Sequence, residues 1–157
     1  MRALWLAPAV FLAACASVDV EETSQRDGAV AALESARFRE CPANRTQADG
    51  RSTGFGPTSG VESADLALTP LADPARALRL RRLTVQPGGV IAWHDHAAVQ
   101  GMALIVSGEM VELRNTCLDP ITYRAGDIAR EDAQTAHSWR NESDTAAVIL
   151  VSHVVMR

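Results

Sequence analysis

The stretch that decides the fold runs from Gly88 to Gly108 and reads GGVIAWHDHAAVQGMALIVSG. A Gly-Gly pair followed by aliphatic and aromatic residues is typical of a turn that leads into a β-strand. Residues two apart in a strand point to the same face, so we expect His94 and His96 to project side by side, roughly 6–7 Å apart along the strand, with Asp95 turned away. At that separation two imidazoles can reach one divalent ion at about 2 Å each.

A second segment strengthens the metal hypothesis, because a His-x-His pair alone is more often a polar strand face. Gly126-Asp127 marks a turn, and His137 follows it. Together the two segments resemble the motifs of the cupin superfamily, G-x5-H-x-H-x4-E-x6-G and G-x5-P-x-G-x2-H-x3-N. The resemblance extends over residues 78–155, and both glycines of the first motif are present, whereas Asp132 and Gln134 replace the proline and the glycine of the second.

The resemblance implies an all-β fold, an antiparallel double-stranded β-helix of the cupin or jelly-roll type. It also implies that His94, His96 and His137 bind one divalent metal ion in the barrel mouth. Gly101 stands where the family has a glutamate ligand, and Gln100 precedes it. Gln100 is a fourth ligand only if the chain bulges there, because a one-residue shift turns a strand side chain to the opposite face. Three neutral imidazoles suit iron, zinc, manganese, nickel or copper, so the metal stays open.

The remaining sequence predicts an antiparallel sandwich or barrel, because short apolar segments alternate with Pro-, Gly- and Asp-rich turns. The expected strands are 61–69, 77–86, 90–96, 102–106, 110–115, 121–124, 128–131, 136–141 and 146–156. Segments 102–106 and 146–151 are apolar on both faces, so one face fills the barrel. The other face meets a second subunit in a homodimer, the opposing sheet or the N-terminal segment.

The N-terminus predicts export and a lipid anchor. Met1-Arg2 precedes the apolar run 3–14, which is shorter than the roughly 20 residues of a membrane-spanning helix. The run ends at Cys15, and Leu12-Ala13-Ala14-Cys15 resembles the lipobox of bacterial lipoproteins, in which the cysteine is lipid-modified. By that analogy Ala16 favours a periplasm-facing site on the outer membrane. An ordinary signal peptide cleaved nearby is the alternative.

The segment before the barrel is predicted to be mostly irregular. We expect a polar tether over 16–22, a helix over 27–40 that ends before Pro42, and an extended loop over 43–60. The chain then divides into a signal peptide, 1–14; a tether, helix and loop-rich segment, 15–60; and a β-barrel, 61–157.

Cys41 and Cys117 are the cysteines that remain after processing. An isolated pair in an exported chain favours a disulfide, which in the chain-entropy model would stabilise the fold by about 4 kcal/mol. Two free thiols, or Cys117 as a soft metal ligand, are the alternatives.

The charged residues exclude several classes of function. All fifteen basic residues are arginine, so no lysine is present to form a Schiff base or a phosphate-binding loop. The net charge of −4 and the lack of a basic cluster beyond Arg79, Arg81 and Arg82 argue against nucleic acid as a partner. Arg79 and Arg81 share a strand face, which we interpret as a solvated one.

Four further residues are candidates for the surroundings of the histidines. Trp139 shares a face with His137, so it lines the metal cavity or packs in the core. His153 in the last strand is expected to be a hydrogen-bonded wall residue. Glu131 and Asp132 are the nearest carboxylates for proton transfer, or they lie on the surface.

These features predict an envelope-anchored cupin that uses a divalent metal on a small organic molecule, as a dioxygenase- or isomerase-like enzyme. A non-catalytic module that binds a metal or a small ligand is the alternative, and the missing carboxylate favours it. A purely structural barrel with hydrogen-bonded histidines is the third hypothesis. Fold resemblance leaves the substrate open.

Overall fold

The computed structural model describes residues 16–48 and 50–157, and β-strands dominate this part of the chain. The signal peptide predicted for 1–14 and the lipidation site Cys15 lie outside the described residues. Helix α1 (Ala16–Glu34) and a short 3-10 helix (Ala43–Arg45) precede most of the sheet. The strands are β1 Arg37–Phe38, β2 Ser59–Pro70, β3 Arg76–Asp95, β4 Gln100–Ser107, β5 Glu109–Arg114, β6 Ile121–Arg124, β7 Asp127–Glu131, β8 Ala136–Arg140 and β9 Ala147–Met156.

The strands form one curled, mainly antiparallel sheet. Its order is β1-β7-β4-β9-β3-β8-β5-β6, and β2 pairs with β3 beside this path. Alternate residues of the central strands point inward and build a buried core that includes Ile105, Tyr123, Trp139 and Ile149. The predicted all-β barrel of the jelly-roll type is confirmed.

Strand β3 differs from the prediction, because we expected a turn at Pro87-Gly88-Gly89 between two strands. The strand instead continues through this segment and changes partners, pairing with β9 before it and with β8 after it. Gly88 has φ +73°, and a Cβ at Gly89 would lie 2.8 Å from the Gln86 carbonyl oxygen. The two glycines therefore bend the strand from one face of the barrel to the other rather than end it.

The N-terminal helix begins earlier and ends earlier than predicted. Helix α1 runs through Asp27, which we expected as its cap, and starts within the predicted tether. It ends at Glu34, where the Ser35 hydroxyl donates to the Ala31 carbonyl at 2.8 Å. Arg37–Phe38, inside the predicted helix, pairs in parallel with β7 instead.

Helix α1 packs against β4. The helix thereby covers part of the outer face of β4. The N-terminal segment was one of the partners that we expected for this apolar strand. No described helix has the length and apolar character required to cross a membrane.

A disulfide bond joins Cys41 to Cys117 across 76 residues of sequence, as predicted. Both sulfurs pack against the hydrophobic core. The bridge and a β-bridge from Thr46 to Cys117 hold the otherwise irregular segment 41–58 against the barrel. Cys117 as a metal ligand is therefore excluded.

Candidate metal centre

Strands β3 and β8 bring the three motif histidines to one point. His94 lies opposite His137 in the antiparallel register, and His96 directly follows β3. A β-bulge between Ile91 and His94 re-aims the strand, and both residues line the barrel interior. The Nε2 atom of His137 is 2.9 Å from Nε2 of His96 and 3.2 Å from Nε2 of His94.

The second nitrogen of each ring has a fixed acceptor. The Nδ1 contacts are His94 to Ala92 O at 2.9 Å, His96 to Val99 O at 2.7 Å, and His137 to Glu112 Oε1 at 2.5 Å. An acceptor at Nδ1 places the ring hydrogen there, so the Nε2 lone pairs of all three rings converge.

These residues fit a transition-metal ion. Two nitrogens that each lie about 2.1 Å from an ion, at right angles, are about 3 Å apart, which matches the observed separations. Burial lowers the pKa of His96 to about 4. Burial, and then the neighbouring His137, lowers the pKa of His94. Both rings are therefore neutral near pH 7, as metal ligation requires.

Glu112 on β5 orients His137 and is fully buried. Its carboxylate also accepts hydrogen bonds from Arg114 Nε at 3.1 Å and from the Tyr123 hydroxyl at 2.9 Å. Burial by itself raises the pKa of Glu112, but the hydrogen bond from His137 and the charge of Arg114 outweigh it and lower the pKa. We did not predict this network. Met110, Glu112 and Arg114 alternate on one face of β5, and that alternation could have indicated charges inside the core.

Glu131 on β7 supplies a carboxylate beside the histidines. Its Oε1 is 3.7 Å from His137 Nε2 and 3.9 Å from His96 Nε2, and its Oε2 is 2.5 Å from His153 Nε2. Burial raises the pKa of Glu131, but the hydrogen bond from His153 and the nearby imidazoles outweigh it and lower the pKa. His153 is a hydrogen-bonded wall residue, as expected.

Gly101 explains how Glu131 comes to occupy this place. Gly101 on β4 pairs with Glu131 on one side and with His153 on the other. A Cβ at Gly101 would lie only 1.8 Å from the Ser152 carbonyl oxygen, so no side chain fits there. The carboxylate of the histidine site therefore comes from the neighbouring strand.

Two other candidate residues lie outside the histidine cluster. The exposed Gln100 amide donates to the Ala97 carbonyl at 3.2 Å, and β4 has no bulge at this position, so the condition for Gln100 as a ligand is not met. Asp132 is exposed, and its carboxylate accepts a hydrogen bond from Thr135 within a turn. Asn141 likewise stabilises the turn that follows it.

A cavity of about 360 Å³ opens beside the histidines. Both interpretations of Trp139 hold, because it is buried in the core and also lines this cavity. Its Nε1 atom lies 3.4 Å from Nε2 of His137. Seven of the other wall residues are apolar: Val61, Leu83, Ile91, Val99, Ala103, Ile149 and Val151.

Arg79 and Arg81 lie in the wall of this cavity, so the interpretation of their face as solvated was wrong. Their side chains are 20% and 30% exposed. In β3 the two arginines lie on the same inward-pointing face as Leu83 and Val85, two residues apart in turn. This position places them inside the barrel near its mouth.

Comparisons with known proteins agree with this architecture. The family described as "Cupin domain" matches residues 81–153. The cupin domain of Cnp3 from Schizosaccharomyces pombe has a similar fold, with a TM-score of 0.50, 12% identity, and coverage of 64% of this chain and 69% of that one. KdgF from a Halomonas species is similar with a TM-score of 0.50, 18% identity, and coverage of 60% and 78%.

At these identities the structural likeness shows the fold alone. No protein of curated function matches the chain significantly. The family match, the barrel and the motif histidines lead to one conclusion: the barrel of this chain is a cupin domain.

Proposed function

We propose that the barrel binds one divalent transition-metal ion through Nε2 of His94, His96 and His137, and that it is a metal-dependent enzyme acting on a small organic molecule. The convergence of three unprotonated Nε2 atoms carries this proposal. Without a cation or a shared proton, lone pairs 2.9–3.2 Å apart repel one another inside a buried site.

Glu131 is the proposed oxygen ligand. Its Oε1 faces the histidines, and the hydrogen bond from His153 to Oε2 holds the carboxylate in place. This arrangement replaces the glutamate expected at position 101 with a carboxylate from the adjacent strand.

A bound metal would supply a Lewis acid or a redox centre, as expected for dioxygenase- or isomerase-like chemistry. The chain itself provides the surroundings of the reaction. The apolar side chains of the wall and Trp139 would contact the bound molecule, and the hydrogen bond to Glu112 orients His137. Preorganised groups of this kind need no rearrangement during the reaction.

Metal analysis of untagged protein tests the proposal. We expect about one equivalent of metal in the wild type, less than a tenth of that in His137→Ala, and at least tenfold weaker metal binding in Glu131→Gln. Glu142→Gln, an exposed carboxylate outside the cavity, is the matched control. Wild-type protein that takes up no iron, zinc, manganese, nickel or copper would exclude the metal site.

A non-catalytic metal- or ligand-binding module is the second candidate, and one observation favours it. Glu131 and Asp95 are the carboxylates that line the described cavity, and Asp95 is exposed. Once Glu131 is a ligand, no buried carboxylate of the wall is free to act as an acid or base. Redox-active iron or copper with oxygen uptake on phenols or thiols would support the enzyme; tight zinc without turnover would support the module.

We also propose that the protein is a lipoprotein of the bacterial envelope, anchored through Cys15. The apolar run that ends at this cysteine supports anchoring, and the Cys41–Cys117 disulfide suits an oxidising compartment. Wild-type protein should fractionate with outer membranes and incorporate labelled palmitate, whereas Cys15→Ser should do neither.

A homodimer is proposed from exposed apolar side chains on neighbouring strands. Leu78, Met102 and Met156 are exposed on one face of β3, β4 and β9. Large exposed apolar groups on one sheet favour a protein interface.

Light scattering during gel filtration tests the dimer. Wild-type protein should have twice the mass of one chain, and Met102→Glu should shift it to the monomer. Leu118→Glu, an exposed apolar position outside β2–β4 and β9, should leave the mass unchanged.

A further inference from the structure

Arg79 is the least satisfied charged group in the cavity wall. Its Nε atom is buried and has no hydrogen-bond acceptor among the described residues. The nearest carboxylate, that of Asp65, lies 4.0 Å from this nitrogen and accepts its hydrogen bond from Arg81 instead, at 2.7 Å. A buried guanidinium nitrogen without an acceptor is costly, so a ligand that supplies one at Nε is favoured.

The remaining donors of Arg79 connect it to the histidine site. One terminal nitrogen of Arg79 lies 3.5 Å from Nδ1 of His153, and Nε2 of His153 contacts Glu131. The two contacts agree on one tautomer, in which His153 accepts from Arg79 and donates to Glu131. Arg79 therefore has a defined position relative to the three metal-binding histidines.

The charge of the cavity also favours an anion. Its charged wall residues are Arg79, Arg81, Asp95 and Glu131, two of each sign, so a divalent ion would make the cavity positive. Burial, followed by the nearby Arg81, lowers the pKa of Arg79. An anionic group at Arg79 would offset the cost of this burial.

We propose that Arg79 binds the carboxylate of the substrate, and that the substrate is a small organic acid whose apolar part points toward Trp139 and the histidines. A guanidinium matches the planar geometry of a carboxylate with two parallel hydrogen bonds. The apolar wall around Leu83, Ile149 and Val151 suits a hydrocarbon or aromatic body. This assignment rests on the proposed metal-dependent function, because substrate and metal share the cavity.

Calorimetric titration of the full mature chain tests the proposal, both metal-free and loaded with zinc. The probes are benzoate and hexanoate, each compared with its neutral amide. We expect each carboxylate to bind at least tenfold more tightly than its amide. Arg79→Gln should weaken carboxylate binding about tenfold or more and leave amide binding unchanged. Arg82→Gln, an exposed arginine on the same strand outside the cavity wall, should bind like the wild type.

Several outcomes would overturn the assignment: equal binding of acids and amides, no binding of either acid, an Arg79→Gln variant that binds like the wild type, or tighter binding of inorganic phosphate than of carboxylates. Should Arg79→Gln fail to fold, the comparison of acid with amide on wild-type protein still decides it. The metal proposal fails separately: Arg79-dependent carboxylate binding in a protein that takes up no metal would refute only the metal centre.

Discussion

At the scale of single residues, the chemistry depends on where the imidazole hydrogens lie. Two backbone carbonyls and one carboxylate hold the three Nδ1 atoms. The carboxylate, Glu112, is itself held by Arg114 and Tyr123. A change at Glu112, which is not one of the proposed metal ligands, should therefore alter both the stability and the orientation of the site.

Replacing Glu112 with Gln should lower the free energy of unfolding by about 3 kcal/mol, because it leaves the Arg114 charge buried without its partner. Urea denaturation measures the effect. Glu109→Gln on the same strand removes a partly exposed pair with Arg124 and should cost less than about 1 kcal/mol. Equal losses in the two variants would contradict the buried network.

The metal-free protein should lose stability as pH falls from about 6.5 to about 4. The unfolded His96 imidazole takes up a proton near its ordinary pKa, whereas the folded one does so only near pKa 4, so the unfolded state binds more protons in this window. Glu131, with its lowered pKa, acts in the same direction at lower pH. Thermal melts in chelator should show a smaller decline for His96→Gln; an identical decline would refute the assignment.

At the scale of the strands, β4 packs closely against β9 at Gly101, and the carboxylate beside the histidines lies on β7. The absence of a side chain at Gly101 lets β9 approach, and this approach places His153 against Glu131. Strand β4 therefore has a closely packed glycine at the position where the family has its glutamate.

Gly101→Ala should lower the free energy of unfolding by about 2–3 kcal/mol, because the added Cβ would meet the Ser152 carbonyl at 1.8 Å. Gly28→Ala is the matched control. Its Cβ would meet no atom within 4 Å, and it lies inside helix α1, so it should raise stability by about 0.5–1 kcal/mol. If the Gly101→Ala variant had the same free energy of unfolding as the wild type, β4 and β9 would be able to move apart without loss of stability.

At the scale of the whole molecule, segment 41–58, which has little regular structure, packs against the barrel. The bridge from Cys41 to Cys117, together with the ion pair between Arg45 and Asp119, attaches this segment to the barrel. The exposed ion pair adds little, so the covalent link dominates.

Reduction of the disulfide should lower the free energy of unfolding by about 4 kcal/mol, since it frees a loop of 76 residues in the unfolded state. Urea denaturation with and without a phosphine reductant measures the loss. A Cys41→Ser/Cys117→Ser variant should have the same free energy of unfolding as the reduced wild type, and the reductant should not change it. Metal binding should persist in both, because no ligand lies in residues 41–58.

The sequence by itself predicted most of the strands and the shared face of His94 and His96, and it favoured the Cys41–Cys117 disulfide. Alternation with period two, turn residues and motif spacing are local properties, and local geometry decides which side chains share a strand face. For the same reason, the i, i+2 relation of His94 and His96 was visible before any fold was known. The helix bounds were predicted wrongly. The continuity of β3 was also predicted wrongly, because a strand that is paired on both sides of a Gly-Gly segment can continue through it.

Only the tertiary structure decided what fills the space around the histidines. Glu112, Glu131 and Arg79 come from three different strands, and their roles depend on cross-strand register and burial. The sequence does not distinguish a charged residue on a solvated strand face from one that lines a cavity, as Arg79 shows. Which alternative holds depends on how the curled sheet closes on itself, and that closure is a property of all the strands together.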